Sequence, residues 1–159
     1  MVSRLLALAV TALLAASPAL ADAGHSHAAP QPGIEMGGPG KAKDVRRTVR
    51  IETRDRDYNV QQIQVRKGET VRFIIVNKSS IRHEFGIARH AEHVEHRKMM
   101  EKLPDMVHDD DNVVTIEPGE TKQIIWRFGT HKDALTELEF ACNIPGHAEQ
   151  GMQGKFRGL

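Results

Sequence analysis

The chain's single cysteine, Cys142, lies in the segment "FACNIPGHAEQGM", which runs from Phe140 to Met152 and also carries His147. A thiol, an imidazole and a thioether therefore share one short loop. A thiolate is a strong soft donor, imidazole is borderline, and a thioether is weak and soft. Hard cations such as calcium and magnesium ignore thioethers. Zinc ordinarily takes a second thiolate or another imidazole in preference to methionine. Copper accepts all three, and a blue-copper centre needs only a second imidazole to complete the set, with the methionine as a weak axial ligand. The competing readings of Cys142 are an inert core thiol, an intermolecular disulfide, or the nucleophile of a Cys–His pair. A nucleophile would need an oxyanion hole and an orienting group beside the imidazole. Asn143 is adjacent, but nothing in the sequence marks a substrate cleft.

The missing imidazole has to come from elsewhere among nine histidines. His83, in "SSIRHEFGI", follows the strongest strand-like run, "TVRFIIVNKS", and is read as sitting at a strand-to-loop junction where the sheet would hold it rigidly. His25 and His27 lie near the N-terminus, His90, His93 and His96 on a helical stretch, His108 in an acidic loop, and His131 after a Gly-Thr turn. His83 is the choice.

The elements that must position these groups are short and β-rich. "RRTVRIETR" alternates through Val49 and Ile51. "NVQQIQVRKGE" places Ile63 and Val65 on one face, and "TVRFIIVNKS" places Val71, Phe73 and Ile75 together. "NVVTIEPGE", "TKQIIWRFG", "LTELEFACN" and "QGKFRGL" continue the pattern between turn signals. Such runs predict an all-β, antiparallel sandwich, with "QGKFRGL" closing it beside the strand that carries Cys142. Pro145-Gly146 supplies a tight bend before His147, and Gly151 and Gly154 allow close backbone approach around Met152. One segment departs from this. "ARHAEHVEHRKMMEKLPDM" contains helix formers and no proline before Pro104, which predicts a helical insertion over 88–103 with His93, His96, Met100 and Leu103 on one side.

"RHEFGI", followed far downstream by "FACNIPGHAEQGMQGKF", resembles the cupredoxins, the plastocyanin and azurin superfamily of type 1 copper proteins. The resemblance extends over about residues 45–159. It implies a Greek-key β-sandwich, with His83 and His147 as imidazole ligands, Cys142 as thiolate, Met152 as axial ligand, and a copper ion cycling between Cu2+ and Cu+. One departure is evident. Many cupredoxins have asparagine after the first ligand histidine, where its side chain ties the ligand loops together, whereas this chain has Glu84. The helical insertion and "KQIIWRF" resemble, more narrowly, exported bacterial cupredoxins linked to copper tolerance.

The N-terminus bears on location. Arg4, the apolar run Leu5–Ala16 and the small-residue ending Ala19-Leu20-Ala21 form a signal-peptide pattern over residues 1–21. The apolar run is short for a membrane anchor, so the expectation is cleavage after Ala21, a periplasmic product and no membrane insertion afterwards. Removing Arg4 from 22 basic residues leaves 21 against 21 acidic ones. That balance argues against nucleic acid or a membrane surface as the main partner. Residues 22–44 are rich in Gly, Pro and Ala, and are expected to form a mobile tail.

Further soft donors lie outside the loop: His25, His27 and Met36 in the tail, His93, His96, Met99 and Met100 on the helix, and Met106 and His108 beyond it. They set up the expectation of additional copper ions, against the competing reading that the helix methionines pack on the sandwich. The Asp109–Asp111 run reads as a solvated loop ahead of a docking patch. The combined expectation is a copper-binding protein of copper tolerance, exchanging single electrons with a redox partner protein. A dedicated electron carrier is the alternative. An enzyme is not expected, because one domain with one type 1 centre lacks the three-copper cluster that multicopper oxidases use.

Overall fold

The computed structural model describes residues 36–131 and 133–159. The signal-peptide pattern, His25 and His27 fall outside them. Among the described residues, nine strands and two α-helices follow in the order β1 (Gly37–Pro39), β2 (Arg47–Thr53), β3 (Gln62–Val65), β4 (Thr70–Asn77), β5 (His83–Arg89), α1 (His90–Lys102), β6 (Val113–Ile116), β7 (Thr121–Phe128), α2 (Ala134–Glu137), β8 (Leu138–Ala141) and β9 (Gln153–Gly158), with a short 3-10 helix (Ala42–Asp44) between β1 and β2. They form a four-stranded sheet ordered β1-β7-β4-β2 and a five-stranded sheet ordered β3-β9-β8-β5-β6. The architecture is a Greek-key β-sandwich.

The strands form where β-branched and aromatic residues alternate with polar ones. In β7 the alternation is plain, with Ile124, Trp126 and Phe128 buried between more exposed neighbours. These side chains meet Ile51, Phe73, Phe85, Phe140 and Phe156 in one core between the sheets. Phe140 lies 5.5 Å from Phe85 and 5.3 Å from Phe156, ring centre to ring centre. Such burial is the main force holding the two sheets together.

The strands differ from the sequence expectations in several ways. The sheets are mixed, because β2 pairs with β4 and β3 with β9 in parallel, the other pairings being antiparallel. The sheet also starts earlier than residue 45, since β1 pairs with β7. Met36 is partly buried against the core, and its carbonyl accepts the Gly129 N–H. "LTELEFACN" is divided between α2 and β8. Finally, His83 opens a further strand, β5, instead of marking a strand-to-loop junction. β5 is buried on both faces from His83 to Ile87, so it shows no polar alternation for the eye to catch.

The second face of β5 is covered by α1. The Arg89 N–H donates to Glu92 Oε2 at 2.8 Å, which satisfies a backbone donor at the helix start. Pro104 follows closely after the end, where the residue before a proline disfavours helix. The helix is shorter than expected, 90–102 instead of 88–103. His93 and Met100 are buried beneath it, while Leu103 has turned outward at the helix end and is 49% exposed.

Candidate metal centre

Alternation along β5 sends His83, Phe85 and Ile87 toward the core and Glu84 and Gly86 toward α1. The Cys142 side chain enters the same core from the end of β8. Pairing of β8 with β9 pins both ends of the intervening loop, as the sequence led one to expect. Inside it, the His147 N–H closes a turn onto the Ile144 carbonyl at 3.1 Å. The Met152 N–H donates to the His147 carbonyl at 3.0 Å, and the Cys142 N–H to the Met152 carbonyl at 2.9 Å. Gly146 and Gly151 take φ of 84° and 118°, conformations that a side chain would strain. Gly154 has a different task. A Cβ there would lie 2.2 Å from Phe140 Cζ and 2.6 Å from the Gln61 carbonyl.

This framework brings His83 Nδ1 within 3.3 Å of His147 Nδ1, and Cys142 Sγ within 3.3 Å of His147 Nδ1. One ligand atom from each of the three residues lies within 4.8 Å of the others. Donors around a first-row cation, with bonds of about 2.0–2.3 Å, stand roughly 3–4 Å apart, so the three could hold one ion. Met152 is fully buried in the same core cluster. The donor chemistry, two imidazoles, one thiolate and a thioether, fits copper.

The surroundings prepare each donor. Ser79 Oγ lies 2.7 Å from His83 Nε2. With Nε2–H donating to that hydroxyl, Nδ1 is left as the lone-pair nitrogen. Ser79 is in turn fixed by Asn77, whose side chain bonds Ser79, Ile81, Ile116 and Thr53. The Glu84 backbone N–H donates to Cys142 Sγ at 3.3 Å, and the Tyr58 hydroxyl donates to the Glu84 carbonyl at 2.6 Å. The segments carrying His83 and Cys142 are therefore tied by the Glu84 backbone N–H on Cys142 Sγ, with the Asn143 N–H close to the Glu84 carboxylate. Sequence reasoning missed Ser79 and this backbone tie; the serine pair "KSS" just before His83 was the available signal.

Burial dominates the protonation chemistry. It pushes the Cys142 thiol up to about 12, partly offset by the N–H groups of Glu84 and Ile144. It lowers His83 to about 4, with help from the neighbouring His147, and lowers His147 as well. Both imidazoles are thus neutral and ready to ligate at pH 7, whereas the thiol gives up its proton only to a cation. His147 is half-buried, and Pro145 and Gly146 beside it are exposed. His83, Cys142 and Met152 are fully buried.

The auxiliary donors divide. His93 Nδ1 lies 3.0 Å from Asn143 Oδ1, and His93 Nε2 lies 3.3 Å from the Glu139 carbonyl, so protein groups occupy both nitrogens. Met100 is buried and Met99 and Met106 are half-buried. His96 and His108 meet: their Nε2 atoms are 3.1 Å apart, beside Glu84. Within the acidic run, Asp110 bonds His108 and Asp109 lies 3.6 Å from Lys122.

A two-sheet Greek-key sandwich with two imidazoles and a thiol gathered beside the loop between β8 and β9 has the form of a cupredoxin. Residues 45–157 match the copper binding proteins of the plastocyanin/azurin family, and the chain belongs to that family. The chain is 40% identical to the copper-resistant cuproprotein CopI of Rubrivivax gelatinosus, over 94% of this chain and 93% of that protein. It is 32% identical to the protein of the same name from Pseudomonas aeruginosa, over 82% and 86% of the two chains. Among solved structures, reduced auracyanin from Roseiflexus castenholzii superposes with a TM-score of 0.58 at 19% identity, covering 72% of this chain and 98% of that one. Auracyanin B superposes with a TM-score of 0.61 at 14% identity, covering 77% and 94%.

Proposed function

We propose that the protein is an exported copper-resistance cupredoxin that holds one copper ion in a type 1 centre formed by His83, Cys142, His147 and Met152. The observation that carries this is the convergence of two imidazole Nδ1 atoms and the only thiol within 4.8 Å, at the end of a sandwich. The copper-resistant relatives favour tolerance as the physiological role. The leader pattern over residues 1–21 favours the periplasm.

Copper held there supplies a one-electron couple. The chain's own residues do the rest. The buried thiol and His83 exclude water from the site. Loop ends pinned by β8 and β9 hold the donors in place through a change of oxidation state, which keeps the rearrangement small. The protein acts as a binder and one-electron exchanger, not as an enzyme. A second reading, a dedicated electron carrier for a redox partner protein, is favoured by His147, which alone of the four reaches the surface.

The test is a visible spectrum of the full chain titrated with Cu(II), beside Cys142→Ala. An intense thiolate-to-copper band, lost in the variant, supports the centre; unaltered copper binding without such a band defeats it. A deletion strain separates the roles: copper sensitivity supports tolerance, and failed respiration with normal copper tolerance supports the carrier.

A further inference from the structure

Glu84 is fully buried, and neither carboxylate oxygen makes a well-formed hydrogen bond among the described residues. The Asn143 N–H lies close enough to favour the charged form, yet burial outweighs it and holds the acid at about 7. A buried, under-satisfied carboxylate is costly and calls for an explanation. Two imidazoles face it. His96 Nε2 lies 3.6 Å from Glu84 Oε2, and His108 Nε2 lies 3.9 Å from Glu84 Oε1. One ligand atom from each of the three residues lies within 4.8 Å of the others.

The hydrogen bonds behind these imidazoles decide which nitrogens carry protons. His108 Nδ1 lies 3.1 Å from Asp110 Oδ2, an acceptor only, so Nδ1–H donates and Nε2 keeps its lone pair. On the other side, His93 Nε2 lies 3.3 Å from the Glu139 carbonyl, so that nitrogen carries the proton. Burial keeps His93 neutral, which makes its Nδ1 an acceptor. The Asn143 amide must then turn its NH2 toward His93, since the two ends of an amide are assigned by their partners. Its oxygen then faces His96 Nδ1, which lies 3.4 Å from the other end of the amide as drawn. His96 thus carries its proton on Nδ1, and both Nε2 lone pairs point at one another across 3.1 Å. Two lone pairs at that distance repel unless a cation sits between them. Imidazoles each anchored through the far nitrogen by an oxygen acceptor are the usual support of a metal site.

We propose that Glu84, His96 and His108 form a second metal site, for a divalent first-row cation, on the outer face of the sheet beneath α1. Two imidazoles and a carboxylate suit Cu(II) or Zn(II) and lack the thiolate or thioether that Cu(I) prefers. Copper(II) binds ahead of zinc in the general affinity order. The site deepens the copper-resistance reading but stands on its own donors. It links to the first centre through two peptide units, His83–Glu84 and Cys142–Asn143.

The test uses the full chain with His25→Ala and His27→Ala, which removes the N-terminal imidazoles. Cu(II) is added until the thiolate band saturates, and a second equivalent is then followed by electron paramagnetic resonance. The expected result is a second signal, without gain in the thiolate band, showing coupling to two imidazole nitrogens and displaceable by excess Zn(II). His96→Ala and, separately, His108→Gln weaken that second equivalent by at least about tenfold while the thiolate band persists, which also reports an intact fold. Failure of the second equivalent to bind, or equal binding in both variants, overturns the proposal. A missing thiolate band with His96- and His108-dependent binding retained would sink the type 1 reading and leave this site standing.

Discussion

The two faces of β5 handle the same chemical material in opposite ways. On the inner face, three of the four donors come from one loop, and that loop is stitched by its own backbone between β8 and β9. On the outer face, the donors come from a strand, a helix and the segment beyond the helix, held by side-chain hydrogen bonds to Asn143 and Asp110. The inner set is preorganised by topology, the outer set by a polar network. A backbone-built site tolerates loss of single side-chain bonds, whereas a network fails when one member is removed. The inner donors include a thiol that resists ionisation, and the outer ones a carboxylate that does so less strongly.

The largest expected effect tests the inner face alone. Cys142→Ala abolishes the thiolate-to-copper band entirely, while the sandwich keeps its far-ultraviolet circular dichroism; a surviving band would end the distinction between the faces. Next, Gly154→Val drives a side chain into Phe140 and the Gln61 carbonyl, where even a Cβ would come within 2.2 Å and 2.6 Å. Over-packing of this severity costs about 3 kcal/mol or more, read as a lowered denaturation midpoint of the metal-free protein.

The third prediction addresses the outer face. Folding raises Glu84 from 4.5 to about 7, so the folded state binds its proton more tightly than the unfolded state. Its contribution to stability is present below pH 4.5 and is lost as pH rises toward about 7. Glu84→Gln removes that dependence. In metal-free protein the variant gains on the wild type across this window, by about 2 kcal/mol once the adjacent imidazoles are allowed for. Urea titrations at a series of pH values measure it, and parallel curves for the two proteins would refute it. The smallest effect sharpens the contrast between backbone and network. Ser79→Ala removes the hydroxyl 2.7 Å from His83 Nε2, and costs about 1 kcal/mol of stability and about tenfold in copper affinity, read by competition with a chelator.

The inner site was legible in the sequence because three donors lie within one segment and strand alternation reveals most of the sandwich. His83 was identified although β5 was not, since a strand buried on both faces offers no alternation to read. The outer cluster was only half visible. His96 and His108 stood out as soft donors, but their meeting depends on how the chain folds back after Lys102, and Glu84 drew attention only as a departure from a family pattern. Leu103 shows the same limit, since helical periodicity points it inward but the helix ends one residue before it.

The pairing of β9 has a consequence in time. β9 lies between β8 and β3, so Ile63 opposes Phe156 across a long stretch of chain. Contacts so distant in sequence form slowly, because the loop they close is entropically expensive. The Cys142 N–H bonds the Met152 carbonyl just before β9 begins. The thiol, His147 and Met152 are therefore brought to their final spacing only when β9 docks. An unfinished chain would offer copper a bare cysteine and scattered imidazoles, and the fully selective pocket would arrive as one of the last events of folding.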